Sequence, residues 1–201
     1  MREILFKYLA KFTTLSAEEQ KAIVDEIVVR EYPRRTVLLR QGDVPDKCYF
    51  VLKGCVRQYS VDEDGRETTS NFYTEEQAVT VFNRHRRDLA SEFSFECLED
   101  SVLVVGDLVV EKDMYVKHAQ LESMTRRMIE EMFGRMQDDF AAFVSSTPEE
   151  RFKALLRNRP GLIERVPQHQ LASCLGMTPE SLSRIKKRVR RGPDEADLTP
   201  S

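Results

Sequence analysis

No stretch of this chain approaches the run of about 18 apolar residues that a membrane-spanning helix needs, so nothing in it reads as a membrane span. The opening MREILFKYLAKF is amphipathic but lacks a long apolar region and a small-residue cleavage site, so the expectation is a cytoplasmic protein. The cysteines, Cys48, Cys55, Cys97 and Cys174, form no C-x-x-C pair, and no Cys/His cluster has zinc-ligand spacing. They read as buried, reduced thiols. His85, His118 and His169 are scattered, and neither a Ser-His-Asp set nor a glycine-rich phosphate loop occurs. The expectation is therefore no metal, no cofactor, no catalytic residue and no enzyme.

What the chain does have is an uneven charge distribution beneath a net charge of −3 over 201 residues. Residues 1–146 hold 20 Lys/Arg against 27 Asp/Glu, net −7, whereas residues 147–191 hold 11 against 4, net +7. The tail from Gly192 adds three acids. An acidic body with a basic carboxy-terminal module suits an attached binder of a polyanion.

Taken in order, residues 1–12 put Ile4, Leu5, Tyr8, Leu9 and Phe12 on one helical side. Ser16 and Glu19 have capping-box spacing before a second helix that would bury Ile23, Val24, Ile27 and Val28. From Glu31 the period changes to short β-branched and aromatic runs cut by Gly42-Asp43, Gly54 and Asp64-Gly65. The Asp-Gly turn predicts a hairpin pairing Val56–Val61 with Glu67–Tyr73, and further strands are expected at 94–98 and 102–107. Such spacing suggests an all-β roll or barrel. From Lys112, Met114, Leu121, Met124, Met128, Met132, Met136, Phe140 and Phe143 recur as one helical stripe. A helix over 113–144 would reach roughly 50 Å, too long for one small roll to cover, so a seam shared with a second copy is expected, which Gly134 would weaken or bend. The stretch 145–150, Ser-Ser-Thr-Pro-Glu-Glu, forms a hinge, in which Thr147 caps a new helix with Pro148 at its start and Glu150 at the capping-box position. Residues 157–161 should end that helix, and the tail GPDEADLTPS has almost nothing to bury and should be disordered.

Residues 166–191, VPQHQLASCLGMTPESLSRIKKRVRR, then read as two short helices and a tight turn. Pro167 suits the first helical position, Gly176 the left-handed residue that ends the first helix, and Thr178 the N-cap of the second, followed by Pro179 and Glu180. Ala172 lets the helices approach, and Leu171, Leu175, Leu182 and Ile185 fall on facing sides. The free face of the second helix carries Arg184, Lys187, Arg188 and Arg191. This is the layout of a helix-turn-helix whose second helix enters the DNA major groove.

The stretch VPQHQLASCLGMTPESLSRIKK resembles the DNA-binding end of the Crp–Fnr transcription regulators, and the GD…YFVLKG-x-V-R-x-Y pattern at 42–59 is similar to their cyclic-nucleotide-binding roll. The resemblance implies an α+β chain: a jelly-roll sensor domain over 1–111 with flanking helices, a dimerisation helix and hinge over 112–146, an all-α DNA-binding domain over 147–191 and a tail over 192–201. It implies double-stranded DNA and a second copy as partners, with RNA polymerase and an unidentified small-molecule effector as further ones. The dimer seam would use Met114, Leu121, Met124, Met128, Met132 and Met136. Glu180 and Arg184 would read bases; Thr178, Pro179, Ser181 and Ser183 would lie beside them, and Gln168, His169, Lys187 and Arg188 would face phosphates.

In members that bind cyclic AMP, a Gly-Glu pair and an Arg followed by Ser or Thr hold the ligand. Anchoring on Cys97-Leu98-Glu99-Asp100-Ser101, which resembles the family's "A-L-E-D-S", places Ser91 and Glu92 where the Arg and the Ser or Thr belong. A carboxylate facing a phosphate repels it. EEQAVTVFNRH lacks the Gly-Glu turn, leaving Glu75 and Glu76 as substitutes, and the NRHRRD run at 83–88 reads as a solvated loop. A degenerate pocket without cyclic-AMP response is expected. Some relatives hold an iron–sulfur cluster on amino-terminal cysteines, but none precedes Cys48. No strand pattern follows the recognition helix, so the family's wing is expected to be missing. The competing readings are a cyclic-nucleotide-responsive activator and, more distantly, a cupin-like enzyme or a structural dimer module. An enzyme of that type needs His and carboxylate ligands clustered on strands.

Overall fold

The computed structural model describes residues 2–12, 16–80, 89–107, 116 and 119–191. Two helices open it, α1 (Arg2–Phe12) and α2 (Ala17–Glu26). The capping box forms as expected: Ser16 Oγ accepts from the Glu19 amide at 3.3 Å, and Glu19 Oε2 accepts from the Ser16 amide at 2.8 Å. Ile23 and Val24 are buried with Leu5 of α1 and Leu52 and Val102 of the roll. Ile27 and Val28 do not continue the helix, contrary to the helical reading. Ile27 is the C-cap, and Val28, 47% exposed, begins β1 (Val28–Tyr32) opposite Val105. The β-branched run Ile27-Val28-Val29 favours extended backbone, and strand pairing overrides helical spacing there.

The roll adds β2 (Val37–Leu39), β3 (Lys47–Lys53), β4 (Val56–Val61), β5 (Glu67–Tyr73), β6 (Ala78–Val79), β7 (Ser94–Cys97) and β8 (Ser101–Asp107). They form two antiparallel four-stranded sheets, in the orders β1-β8-β3-β6 and β2-β7-β4-β5. Val51, Val56, Val79, Phe95, Cys97 and Leu103 are buried between them. The predicted hairpin pairs Val61 with Glu67. Its loop closes on Asp62 Oδ1, which accepts from the Asp64 and Arg66 amides at 3.0 and 2.8 Å. Gly54 joins β3 to β4 at φ +111°, and a Cβ there would lie 2.2 Å from Ser101 Oγ. Only glycine fits that turn.

Helix α3 (Ala119–Ser145) runs unbroken through Gly134. Its 27 residues span about 40 Å; residues 108–115, 117 and 118, where the expected helix began, lie outside the described residues. Then come α4 (Pro148–Asn158), α5 (Leu162–Arg165), α6 (Gln168–Cys174) and α7 (Pro179–Arg191). The Thr147–Glu150 capping box opens α4. Two local readings shift: α5 is a short helix the sequence reading did not assign, and Pro167 is the N-cap of α6, one residue before the position expected.

This helical module sits on the roll. β5 is an edge strand, whose unpaired amides need cover, and α6 lies across it with Ser173 Oγ accepting from the Thr69 amide at 2.9 Å. Arg159 Nη2 donates to the Phe72 carbonyl at 2.7 Å. Beneath these bonds Cys55 and Phe72 of the roll join one apolar cluster with Phe152, Leu162, Val166, Leu171, Ala172, Leu175, Leu182 and Ile185. Phe72 is fully buried, and truncating such a side chain to Ala costs roughly 3–5 kcal/mol.

Candidate nucleic-acid interface

The turn between α6 and α7 is built by three observations. Gly176 adopts φ +66°, where the helix C-terminus must reverse. Its amide donates to the Ser173 carbonyl at 2.9 Å, and the Met177 amide to the Ala172 carbonyl at 3.0 Å, so the carbonyls ending α6 keep partners. Thr178 Oγ1 then accepts from the Ser181 amide at 3.2 Å, capping α7. Leu182 and Ile185 turn into the cluster with Leu171, Ala172 and Leu175, which leaves the opposite face of α7 outward.

That outward face carries Pro179, Glu180, Ser183 and Arg184, all exposed and lining one shallow open depression. Glu180 and Arg184 stand one turn apart on it. The Glu180 carboxyl is held below the usual carboxylate range, first by its own backbone amide, then by the Thr178 hydroxyl and the Arg184 charge. It is therefore an acceptor at neutral pH, beside a guanidinium that is a donor. Ser181 is half-buried and its hydroxyl accepts from Thr178 Oγ1 at 3.2 Å, so it serves the cap, whereas Ser183 is exposed. Gln168, His169 and Lys187 are exposed around this face. Gln168 Oε1 accepts from Lys186 Nζ, and Arg188 Nε donates to Glu149 Oε2 at 2.7 Å. Arg188 is thus paired with α4.

The residues expected around the roll's pocket separate into different networks. Glu75 Oε1 accepts from the Gly54 amide at 2.9 Å, and its two oxygens accept from Arg165 Nη1 and Nη2 at 2.8 and 2.9 Å. Arg165 Nη2 also donates to the Gly54 carbonyl at 2.8 Å, and its Nε to Glu99 Oε1 at 3.2 Å. Burial pushes the Glu75 carboxyl up, but Arg165 and the Gly54 amide outweigh it and hold it below the ordinary range. Glu76, at φ +63°, lies 3.9 Å from Lys7 Nζ. The Ser91 hydroxyl is turned back on its own loop, donating to the Phe93 carbonyl at 2.7 Å, while Glu92 is exposed. A cavity of about 10 Å³ lies among Leu38, Leu39, Tyr49, Val79 and Phe95, room for one water. The NRHRRD run lies outside the described residues.

Residues 29–108 match the family described as the cyclic nucleotide-binding domain. The chain is 22% identical over 190 residues to the anaerobic regulatory protein of Pasteurella multocida strain Pm70, covering 87% of this chain and 68% of that one. It is also 22% identical over 194 residues to the regulatory protein HlyX of Actinobacillus pleuropneumoniae, covering 89% and 78%. The chain is thus similar over most of its length to regulatory proteins, and its roll matches the cyclic nucleotide-binding domain. Its fold is that of the c-di-GMP-responsive regulator CLP of Xanthomonas campestris, with a TM-score of 0.63 at 17% identity, covering 88% of this chain and 92% of that one. These relatives are regulatory proteins, and no described helix of this chain is long and apolar enough to cross a membrane.

On the long helix α3, the predicted seam divides. Met124 is 8% exposed and packs with Leu5, Ile23, Val24, Leu52 and Val102, so it belongs to its own chain's core. This corrects its placement at a dimer seam. Helical rotation separates it from a second apolar face farther along, where Phe133, Met136, Phe140 and Val144 are 54%, 58%, 70% and 68% exposed. Met128 and Met132 are half-buried. Met114 lies outside the described residues, as does the Leu121 side chain. The sequence reading missed Arg151, Arg159 and Arg165, whose partners are brought near by the fold. Only their position on a basic module hinted at more than surface charge.

The thiols are reduced, with Cys55 and Cys97 buried but Cys48 and Cys174 half-buried, fewer fully covered than expected. Burial pushes the Cys55 thiol up to about 12 and those of Cys97 and Cys174 up to about 11.

Proposed function

We propose that this chain is a transcription regulator of the Crp–Fnr type that binds double-stranded DNA as a homodimer, with residues 1–111 as a sensor roll, 112–146 as dimerisation helix and hinge, and 147–191 as the DNA-binding domain. Helix α7 enters the major groove. Arg184 gives two parallel hydrogen bonds to guanine O6 and N7, and Glu180 accepts from cytosine N4. Thr178, Pro179 and Ser183 lie along the same groove, with Ser181 holding the helix start. Gln168, His169 and Lys187 meet phosphates, and Arg188 joins them by exchanging Glu149 for a phosphate oxygen. The observation that carries this reading is the outward face of Pro179, Glu180, Ser183 and Arg184 opposite the buried Leu182 and Ile185.

The second copy covers the face of Phe133, Met136, Phe140 and Val144, with Met128 and Met132 at its margin. Four large apolar side chains more than half exposed along one helix mark an interaction surface. The dimer acts with RNA polymerase, and any effector of the roll is not cyclic AMP: Glu75 is committed to Arg165 and the Ser91 hydroxyl to its own loop.

The test is DNA retardation at two salt concentrations, with and without millimolar cyclic AMP. A steep fall in affinity with salt and no effect of the nucleotide are expected, because each phosphate contact releases counterions. Salt-independent retention, or none, sinks the DNA-binding reading; a saturable nucleotide effect sinks the reading of the pocket.

A further inference from the structure

We propose that Arg151 is a positioning residue which staples the DNA-reading unit to the long helix and so sets the spacing between the half-sites the dimer accepts. This rests on the homodimeric DNA-binding reading above. Arg151, in the first turn of α4 and half-buried, touches three parts of the chain. Its guanidinium carbon sits 4.2 Å from the centroid of the Phe143 ring, near the end of α3. Its Nε donates to the Ser146 carbonyl in the hinge at 3.3 Å. Its Nη1 donates to the Leu175 carbonyl at 2.7 Å, at the C-cap of α6 and directly before the turn into α7. Gly176 completes the joint, because a Cβ there would lie 2.7 Å from Arg151 Nη1 and 3.0 Å from Phe143 Cζ.

One planar group therefore spans the hinge. A guanidinium stacks through its face and donates from its edges at the same time, which a lysine ammonium cannot do. The Glu149–Arg188 pair also grips α7, but both partners belong to the DNA-binding unit and cannot set its angle to α3. The Arg151 joint can.

In a dimer joined along α3, the placement of α7 relative to α3 fixes the separation and rotation of the two recognition helices. Half-sites on one face of the duplex repeat at about 34–36 Å. One extra base pair moves a half-site by about 3.4 Å and turns it by roughly 35°. A firm joint penalises that misfit; a loosened one follows it.

The experiment uses the full chain. A pool of random-sequence duplexes is enriched on the wild-type protein, and the dyad-symmetric site recovered is remade with one base pair inserted or removed at its centre. Affinities for the three spacings and for an isolated half-site are measured for wild type, Arg151→Lys, Phe143→Leu and the double variant, with sedimentation mass as a control. Wild type should lose roughly tenfold or more on the altered spacings. Arg151→Lys keeps a donor for the Leu175 carbonyl but not the stacking, and Phe143→Leu keeps an apolar residue but not the ring. Each should cut the discrimination roughly fivefold, with half-site affinity and dimer mass unchanged. The double variant should match either single one, because both break the same contact. Wild-type discrimination in both single variants would overturn the proposal. So would equal losses on half-site and full site, which would make Arg151 a mere support of the domain. If wild type enriches no dyad-symmetric sequence, the homodimeric DNA-binding reading itself fails and this joint loses its role with it.

Discussion

Replacing Arg165 with Ala should loosen the DNA-binding module from the roll. The guanidinium bonds both Glu75 oxygens at 2.8 and 2.9 Å, Glu99 at 3.2 Å and the Gly54 carbonyl at 2.8 Å. A hydrogen bond to a charged group contributes roughly 1.5–3 kcal/mol. Arg165 is 28% exposed, though, and Glu75 and Glu99 are 41% and 35% exposed, so solvent screens the whole network. The expected cost is about 1–3 kcal/mol in total, which for a chain of this size lowers Tm by roughly 2–12 °C. The pH dependence has a definite sign. The Glu75 carboxyl is depressed in the folded state, so its contribution is fully present above its unfolded pKa of about 4.3 and fades as pH falls through the lower folded value. The gap between wild type and Arg165→Ala should therefore be constant at neutral pH and shrink below about pH 4. Calorimetry across pH reads the gap, and hydrogen exchange should show α5 and α6 opening before the roll. An unchanged Tm at neutral pH, or a deficit undiminished in acid, refutes the reasoning; the part due to the Gly54 carbonyl remains at every pH.

Gly176→Ala should destabilise the DNA-binding module by about 1–3 kcal/mol in denaturant unfolding, since an L residue in the left-handed region costs roughly 1–2 kcal/mol and its Cβ meets Arg151. Wild-type stability would show that the turn adapts freely. Cys55 and Cys97 should resist alkylation of the native protein at pH 7.5, their thiols being pushed up to about 12 and about 11, and react at once in denaturant. Stoichiometric native labelling of Cys55 would contradict its burial. Phe133→Asp with Phe140→Asp should yield monomers by sedimentation that lose affinity for a dyad-symmetric duplex, whereas a wild-type monomer that still binds it tightly would end the dimer reading.

What the sequence displayed was local. Both capping boxes and the β4–β5 hairpin depend on residues a few positions apart, and they form as read. The turn of α6 and α7 was equally visible, because Gly176, Thr178 and the Leu171, Leu175, Leu182 and Ile185 spacing all lie within one short segment. Ile27 and Val28 misled because helical spacing and β preference coincide there, and pairing with β8 decided the outcome. Met124 misled because α3 has apolar residues around more than one face, and a stripe on a sequence does not say which neighbour covers it. The Arg165 network was invisible for a different reason: its partners lie 66, 90 and 111 residues away, and nothing in a linear pattern ties the arginine that ends α5 to Gly54, Glu75 and Glu99. Arg151 escaped notice likewise, since its role depends on a carbonyl 24 residues later.

Whether the outward face of α7 reads base identity is tested most directly by comparing wild type, Arg184→Ala and Lys187→Ala on the enriched duplex and on a set with each base pair changed in turn. Arg184→Ala should cost roughly 1–3 kcal/mol per half-site and flatten preference at one base pair, while Lys187→Ala weakens every sequence alike and lowers the salt slope by about one. If Arg184→Ala instead lowers affinity equally at every position and leaves the base preferences intact, Arg184 touches only phosphate and the recognition face assigned to α7 is wrong.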